Sequence, residues 1–145
     1  MADLDRLVAI ETAAFDPDFY VLMTRRQFAA HLANPRALIL VARDPAVGAV
    51  GYALCFRRRG TGYLRLYSLA VDPAFQGGQV GADLFRAFEA AASKEGLGMQ
   101  LEIRADNKKL LERYLGLGYS RYRDVPDYYP DGSGCIKLKR NPPAA

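Results

Sequence analysis

The apolar positions change period several times along the chain, and each change marks an element. Leu4, Leu7, Val8 and the run from Ile10 to Ala14 keep helical spacing, which predicts a helix over residues 3–15 capped by Asp3. Residues 15–23, with Asp16-Pro17, read as a loop. Thr24 and Gln27 form a capping-box pattern ahead of a second helix. Its Phe28, Ala29 and Leu32 are expected to face inward, and Asn34-Pro35 stops it. Residues 37–42 are continuously apolar and predict a strand. A turn at 44–48 leads to further strands at 49–56 and 63–71. Between these two, Arg57-Arg58-Arg59-Gly60-Thr61-Gly62 reads as a hairpin loop with a solvated tip.

Residues 66–89 organise the rest. Residues 66–71 are apolar apart from Ser68, with Leu69 and Val71 on one face by the period-2 rule. Asp72-Pro73 ends the strand, because proline has no N–H for a ladder. Gln76, Gly77, Gly78, Gln79, Val80 and Gly81 then surround a helix start. Val80, Leu84 and Phe88 follow at i, i+4 and i+8, with Ala91 and Ala92 beyond, giving one buried stripe. A glycine-rich loop entering a helix presents unpaired N–H groups that favour a phosphate or pyrophosphate. It also serves as a plain turn, and this stretch alone does not separate the two.

Gly96 and Gly98 end that helix. Residues 99–104 alternate, Met99, Leu101 and Ile103 against Gln100, Glu102 and Arg104. Leu110, Tyr114 and Leu117 predict a helix over 107–117 that Gly118 ends. Two last strands, 119–125 and 135–139, are joined by a loop containing Tyr128-Tyr129-Pro130. This order predicts an α/β fold, a mixed central sheet with helices on both faces. Strands 66–71 and 99–104 should be parallel neighbours, joined by a right-handed crossover through the helix near 79–94.

A length of 145 residues predicts one domain over residues 1–145. The net charge of +4 suits an anionic small ligand, but the blocks of basic residues typical of a nucleic-acid binder are missing. No long apolar run suggests a signal peptide or membrane span. Two cysteines make no disulfide or metal framework, and a single histidine argues against a His-based zinc site, so no metal is expected. These features fit a reducing cytoplasm. His31 reads as a surface or satisfied residue rather than a base, and Cys55 and Cys135 as strand residues without a catalytic role. Residues 141–145 read as a frayed tail.

With these segments placed, the chain resembles the GNAT acetyltransferase superfamily over nearly its whole length. The family signature, Q/R-x-x-G-x-G/A after a strand ending apolar-Ala-Val-x-Pro, is met by Leu69-Ala70-Val71-Asp72-Pro73 and the loop from Gln76 to Gly81. The second half resembles the RimI branch, which acetylates protein N-terminal amines. Its features appear in order as Leu101-Glu102-Ile103-Arg104-Ala105, Asn107, Tyr114, Gly118-Tyr119 and Tyr128-Tyr129-Pro130. Gln79 stands where family members usually carry glycine. If that position requires φ > 0, a non-glycine residue costs roughly 1–2 kcal/mol unless Gly77-Gly78 bend the loop upstream. Family chains also usually have a strand before the helix that begins here near Asp3; this chain has no residues for it, so either the start is misassigned or the sheet lacks that first strand.

The resemblance implies direct attack of an amine on acetyl-CoA. The sheet would splay beside Leu69, Ala70 and Val71, whose freed backbone groups would bind the pantetheine and polarise the thioester. Gln76, Gly77, Gly78, Gln79, Val80, Gly81 and Ala82 would hold the pyrophosphate. Asn107 would reach the pantetheine, and its residue type also suits a helix N-cap. Tyr114 would serve the departing thiolate as general acid. A phenol of pKa ~10 giving its proton to a thiolate of ~8.5 is uphill by roughly 2 kcal/mol, whereas a hydrogen bond needs no such transfer. Glu102 would be the base, acting through water. Tyr128 and Tyr129 would border a peptide N-terminus. The implied acceptor is a protein or peptide amine, with no nucleic acid or membrane partner, and the enzyme a monomer or homodimer. The alternatives are a small-amine acetyltransferase and a CoA-binding module that has lost catalysis. Retention of Glu102 and Tyr114 argues against the second.

Overall fold

The computed structural model describes residues 2–57, 60 and 62–142. Helices α1 (Ala2–Ala14) and α2 (Arg25–Ala33) precede strands β1 (Ala37–Asp44), β2 (Gly48–Arg57) and β3 (Tyr63–Val71). Then come α3 (Val80–Lys94), β4 (Gly98–Arg104), α4 (Lys108–Gly116), β5 (Ser120–Val125) and β6 (Cys135–Arg140). The strands form one sheet in the order β1-β2-β3-β4-β6-β5. Only β3 and β4 pair in parallel; every other pair is antiparallel. The parallel pair is the expected one, with α3 as its crossover. Among the described residues no strand precedes α1.

Local chemistry fixes the element ends. Thr24 and Gln27 form the reciprocal capping box that opens α2. Asn107 caps α4, its side chain accepting from the Leu110 N–H at 3.2 Å. Helix α1 begins at Ala2, so Asp3 lies within its first turn rather than before it. The expected inward face of α2 needs correction. Phe28 is fully buried, but Leu32, one turn on at the exposed end of this short helix, is not. Of the arginine-rich hairpin, Arg58, Arg59 and Thr61 lie outside the described residues; Arg57 forks onto Glu95.

A hydrophobic cluster fills each face of the sheet. On one, Leu84, Phe88 and Ala92 of α3 pack on Leu64, Leu101, Ile103 and Leu138. On the other, Leu4, Leu7 and Ile10 of α1 and Phe28 of α2 pack on Tyr52, Leu54 and Ala70. Gly51 lets α3 come close, since a Cβ there would lie 3.0 Å from Leu84 and 3.1 Å from Val80. Strand β4 turns Met99, Leu101 and Ile103 into the α3 cluster. Period 2 therefore puts Glu102 and Arg104 on the opposite face, towards the side that α1 and α2 partly cover.

Candidate active site

Strands β3 and β4 part company midway. Their pairing runs from Tyr63–Gly98 to Leu66–Leu101 and stops, although both strands continue. Beyond that point β3 stays bonded to β2 through Leu69, Ala70 and Val71, and β4 to β6 through Glu102, Ile103 and Arg104. The backbone of residues 69–71 thus has no strand partner on its β4 side. One carbonyl there, Val71 O, accepts from the side-chain amide of Gln76 at 2.9 Å.

Two cavities open at this split. One, of about 460 Å³, is bounded by Leu69, Val71, Tyr114 and the loop of Gln76, Gly77, Gly78, Gln79, Gly81 and Ala82. Its loop begins in a short 3₁₀ turn at Pro73–Phe75, capped by Asp72, whose side chain accepts from Ala74 N at 3.0 Å. Arg6 of α1 holds that aspartate at 3.0 Å and also donates to Ala49 O. Gly77 carries the left-handed conformation, with φ +83°. Gln79, the N-cap of α3, sits at φ −94° and ψ −6°, so a side chain there meets no left-handed strain. Its side chain makes no capping bond, which leaves the first N–H groups of α3 uncapped by Gln79. Val80 is half-buried against the α3 cluster.

The second cavity, of about 610 Å³, shares Leu69 and Tyr114 with the first. Glu102, Asn107, Tyr128 and Tyr129 line it, as do Glu11, Tyr20 and Ser68. Apart from Ala70, in the cluster under α1, and Val80, packed on the α3 cluster, the sequence-derived candidates thus divide between two chambers that meet at Leu69 and Tyr114.

Glu102 is deeply engaged. It accepts from the Tyr128 hydroxyl at 2.6 Å, pairs closely with Arg65, and has Lys137 Nζ at 3.6 Å. Burial works to raise its pKa, but the Tyr128 bond and the charges of Arg65 and Lys137 outweigh burial and hold the carboxyl below its usual range. Burial, and then the same contact, push the Tyr128 phenol up to about 12. Tyr114 packs on Phe85 at 5.3 Å and Tyr119 at 5.6 Å between ring centres. Burial raises its phenol pKa, the Arg113 charge opposing. Proton loss from Tyr114 is therefore harder than in water, and hydrogen-bond donation is the role its environment favours.

Arg104 lines the second cavity. Its guanidinium donates to Phe19 O at 3.1 Å, stands 4.9 Å from the Tyr129 ring centre, and pairs with Asp131 and Asp106. It therefore ties the α1–α2 connection to the β5–β6 connection. Arg104 and the buried Glu11 were not among the sequence-derived candidates. Period 2 from Glu102 would have found the first, and the single charge inside the apolar run 10–14 the second.

His31 packs edge-on against Phe56, 5.0 Å between ring centres. Burial pushes the Cys55 thiol up to about 12 and the Cys135 thiol to about 11, so neither offers a ready thiolate. Among the described residues, no group of three or more His, Cys, Asp or Glu could hold a metal ion, and no helix is long and apolar enough to cross a membrane.

Comparison with known proteins agrees with this geometry. Over 141 residues the chain is 33% identical to an uncharacterized protein of Mycobacterium leprae, covering 96% of this chain and 38% of that protein. The chain thus spans less than half the length of this curated relative. The fold is similar to the crystal structure of the ribosomal-protein-S18-alanine N-acetyltransferase from Escherichia coli, with TM-score 0.85 and 23% identity over 100% of this chain and 91% of that one. It is also similar to Naa20 from Chaetomium thermophilum, solved in complex with a bisubstrate analogue, with TM-score 0.75 and 22% identity over 97% and 82% of the two chains. The Acetyltransferase (GNAT) family matches residues 4–119. The split strands, the glycine-rich helix entry and this match agree: the chain belongs to the GNAT acetyltransferase family.

Proposed function

We propose that residues 1–145 act as one N-acetyltransferase domain that moves the acetyl group of acetyl-CoA to a primary amine, the α-amine of a protein or peptide. One observation carries the reading. Two chambers meet at Leu69 and Tyr114, one bounded by the glycine-rich loop and the other by a carboxylate and a tyrosine-rich connection.

The pyrophosphate lies against residues 76–82, where backbone N–H groups at the start of α3 favour an anion. The pantetheine runs beside Leu69, Ala70 and Val71 and uses the backbone groups that β4 leaves unpaired. Asn107, whose Oδ1 already caps α4, faces it from the other wall. The amine enters from the acceptor chamber, between Tyr128 and Tyr129, and attacks the thioester carbonyl directly. Nitrogen forms the new bond to carbon, and the carbon–sulfur electron pair leaves on sulfur. Tyr114 donates a hydrogen bond to that developing thiolate, which needs no full proton transfer. Glu102, ionised at neutral pH, draws the ammonium in and takes a proton only weakly, through water.

The acceptor's own pKa supports an α-amine. At pH 7 an α-amine of pKa ~8 needs about 1.4 kcal/mol to become neutral, and a lysine amine of ~10.4 roughly 4–5 kcal/mol. A carboxylate held low is adequate only for the first. Acetyl-CoA turnover against peptides with free α-amines, lysine peptides blocked at the N-terminus, and small amines tests the proposal. Turnover on the first group is expected; acetylation of small amines alone would overturn the peptide assignment.

A further inference from the structure

A second carboxylate borders the acceptor chamber and has no part in the chemistry above. Glu11, 3% exposed, lies on the inward stripe of α1. Its Oε2 accepts from Met23 N–H at 2.7 Å, and its Oε1 accepts the Tyr52 hydroxyl. Among the described residues no Lys, Arg or His side chain forms an ion pair with it. A charge so placed is uncompensated except by hydrogen bonds.

The Tyr52 oxygen has a second neighbour, Ser68 Oγ, at 3.3 Å. Since the Tyr52 proton is committed to Glu11, Tyr52 accepts from Ser68, and the Ser68 lone pairs remain for a donor. Ser68 precedes Leu69 on β3, and both line the chamber in which the amine is to react. The chain of hydrogen bonds is therefore oriented, from the chamber through Ser68 and Tyr52 to Glu11.

We propose that this chain removes the proton that an acceptor ammonium must lose before it attacks, with Glu11 as the terminal acceptor. The inference rests on the acetyl-transfer reading. The ammonium N–H bond breaks and leaves its electron pair on nitrogen. That proton binds Ser68 Oγ as the Ser68 proton passes to Tyr52 Oη and the Tyr52 proton to Glu11. The free pair then forms the bond to the acetyl carbon. The remaining surplus proton on nitrogen leaves after attack and replaces the one needed at sulfur, and Glu11 returns its proton to solvent after product release. Glu102, with Arg65, Lys137 and Tyr128 around it, then serves to attract and orient the ammonium. The other titratable groups lining the chamber beside the relay are Tyr67 of β3, Tyr20 before α2, Glu102 and Arg104 of β4, Tyr114 of α4, and Tyr128 and Tyr129 before β6.

The test is the pH–rate profile of Ser68→Ala, with acetyl-CoA and a peptide bearing a free α-amine. Without the relay only the neutral fraction of an amine of pKa ~8 reacts, so turnover falls about tenfold at pH 7 and recovers above about pH 9. CoA affinity stays as in the wild type. Glu11→Gln, which keeps one of the two accepted hydrogen bonds but takes no proton, also recovers with rising pH. A Ser68→Ala enzyme with the wild-type profile, or with an equal loss at every pH, overturns the relay. If the wild type acetylates no amine at all, the acetyl-transfer reading fails, and the relay with it. Tyr52→Phe keeps the ring packed on Phe28 and interrupts the chain at its middle, so a pH-independent loss there also counts against it.

Discussion

Backbone strain in the loop before α3 belongs to Gly77, not to the position where Gln79 replaces the family glycine. Gly77 sits at φ +83°, and a Cβ built there meets nothing within 4 Å. Gly77→Ala therefore tests conformation without a clash. Forcing an L-residue into the left-handed region costs roughly 1–2 kcal/mol, about 5- to 30-fold in a two-state equilibrium. That cost is expected to appear as lost stability in urea denaturation, as weaker CoA binding in calorimetry through a displaced loop, or as a mixture of both. Gln79→Gly should act differently. At φ −94° no strain is released, while the freer unfolded chain costs about 0.5–1 kcal/mol. The variant should be slightly less stable and bind CoA no more tightly. Tighter CoA binding by Gln79→Gly, or a Gly77→Ala protein matching the wild type in both assays, would refute this account.

Other perturbations separate the parts of the site. Tyr114→Phe keeps the ring between Phe85 and Tyr119, so CoA affinity should survive while turnover falls about 10²–10³-fold, the usual effect of deleting one transition-state donor. Arg104→Met should raise acceptor KM more than it lowers kcat and leave CoA affinity unchanged, because both connections it ties lie on the proposed acceptor side; steady-state kinetics with each substrate varied in turn checks this. Phe88→Ala empties the centre of the α3 cluster and should cost about 3–5 kcal/mol in urea denaturation. The folded Glu102 carboxyl lies below its unfolded value of about 4.3, so its contribution to stability is complete above that value and lost as pH falls through the lower, folded one. Glu102→Gln should accordingly flatten the acid side of the stability curve.

Element order and type were legible because each stretch holds either one period or one unbroken apolar run over its length. Residues 63–71 and the capping box at Thr24 needed no tertiary information. Leu32 was misread because helical spacing gives a direction but not the distance to the nearest packing partner. The conformation at Gln79 was hidden for a similar reason, since the bend is taken up two residues earlier at Gly77. The division of the candidates between two chambers depends on where β3 and β4 stop pairing, which no local pattern encodes. Local periodicity marks Arg104 and Glu11 but does not name their partners, which are distant in sequence. Tyr52 is 41 positions from Glu11, and Phe19 is 85 from Arg104. A charge inside an apolar run announces burial without naming its partner.

The guanidinium of Arg104 has a consequence for redesign. Because it grips Phe19 O on one connection and Asp131 on the other, the two walls of the proposed acceptor chamber share a fastener. A graft that swaps residues 15–23 from a relative of different selectivity would seat its backbone against a clasp shaped by the old partner loop. The exchangeable unit is the pair of connections together with the residue at 104. Loop libraries that vary both walls while holding that arginine should yield more altered specificities than libraries that vary either wall alone.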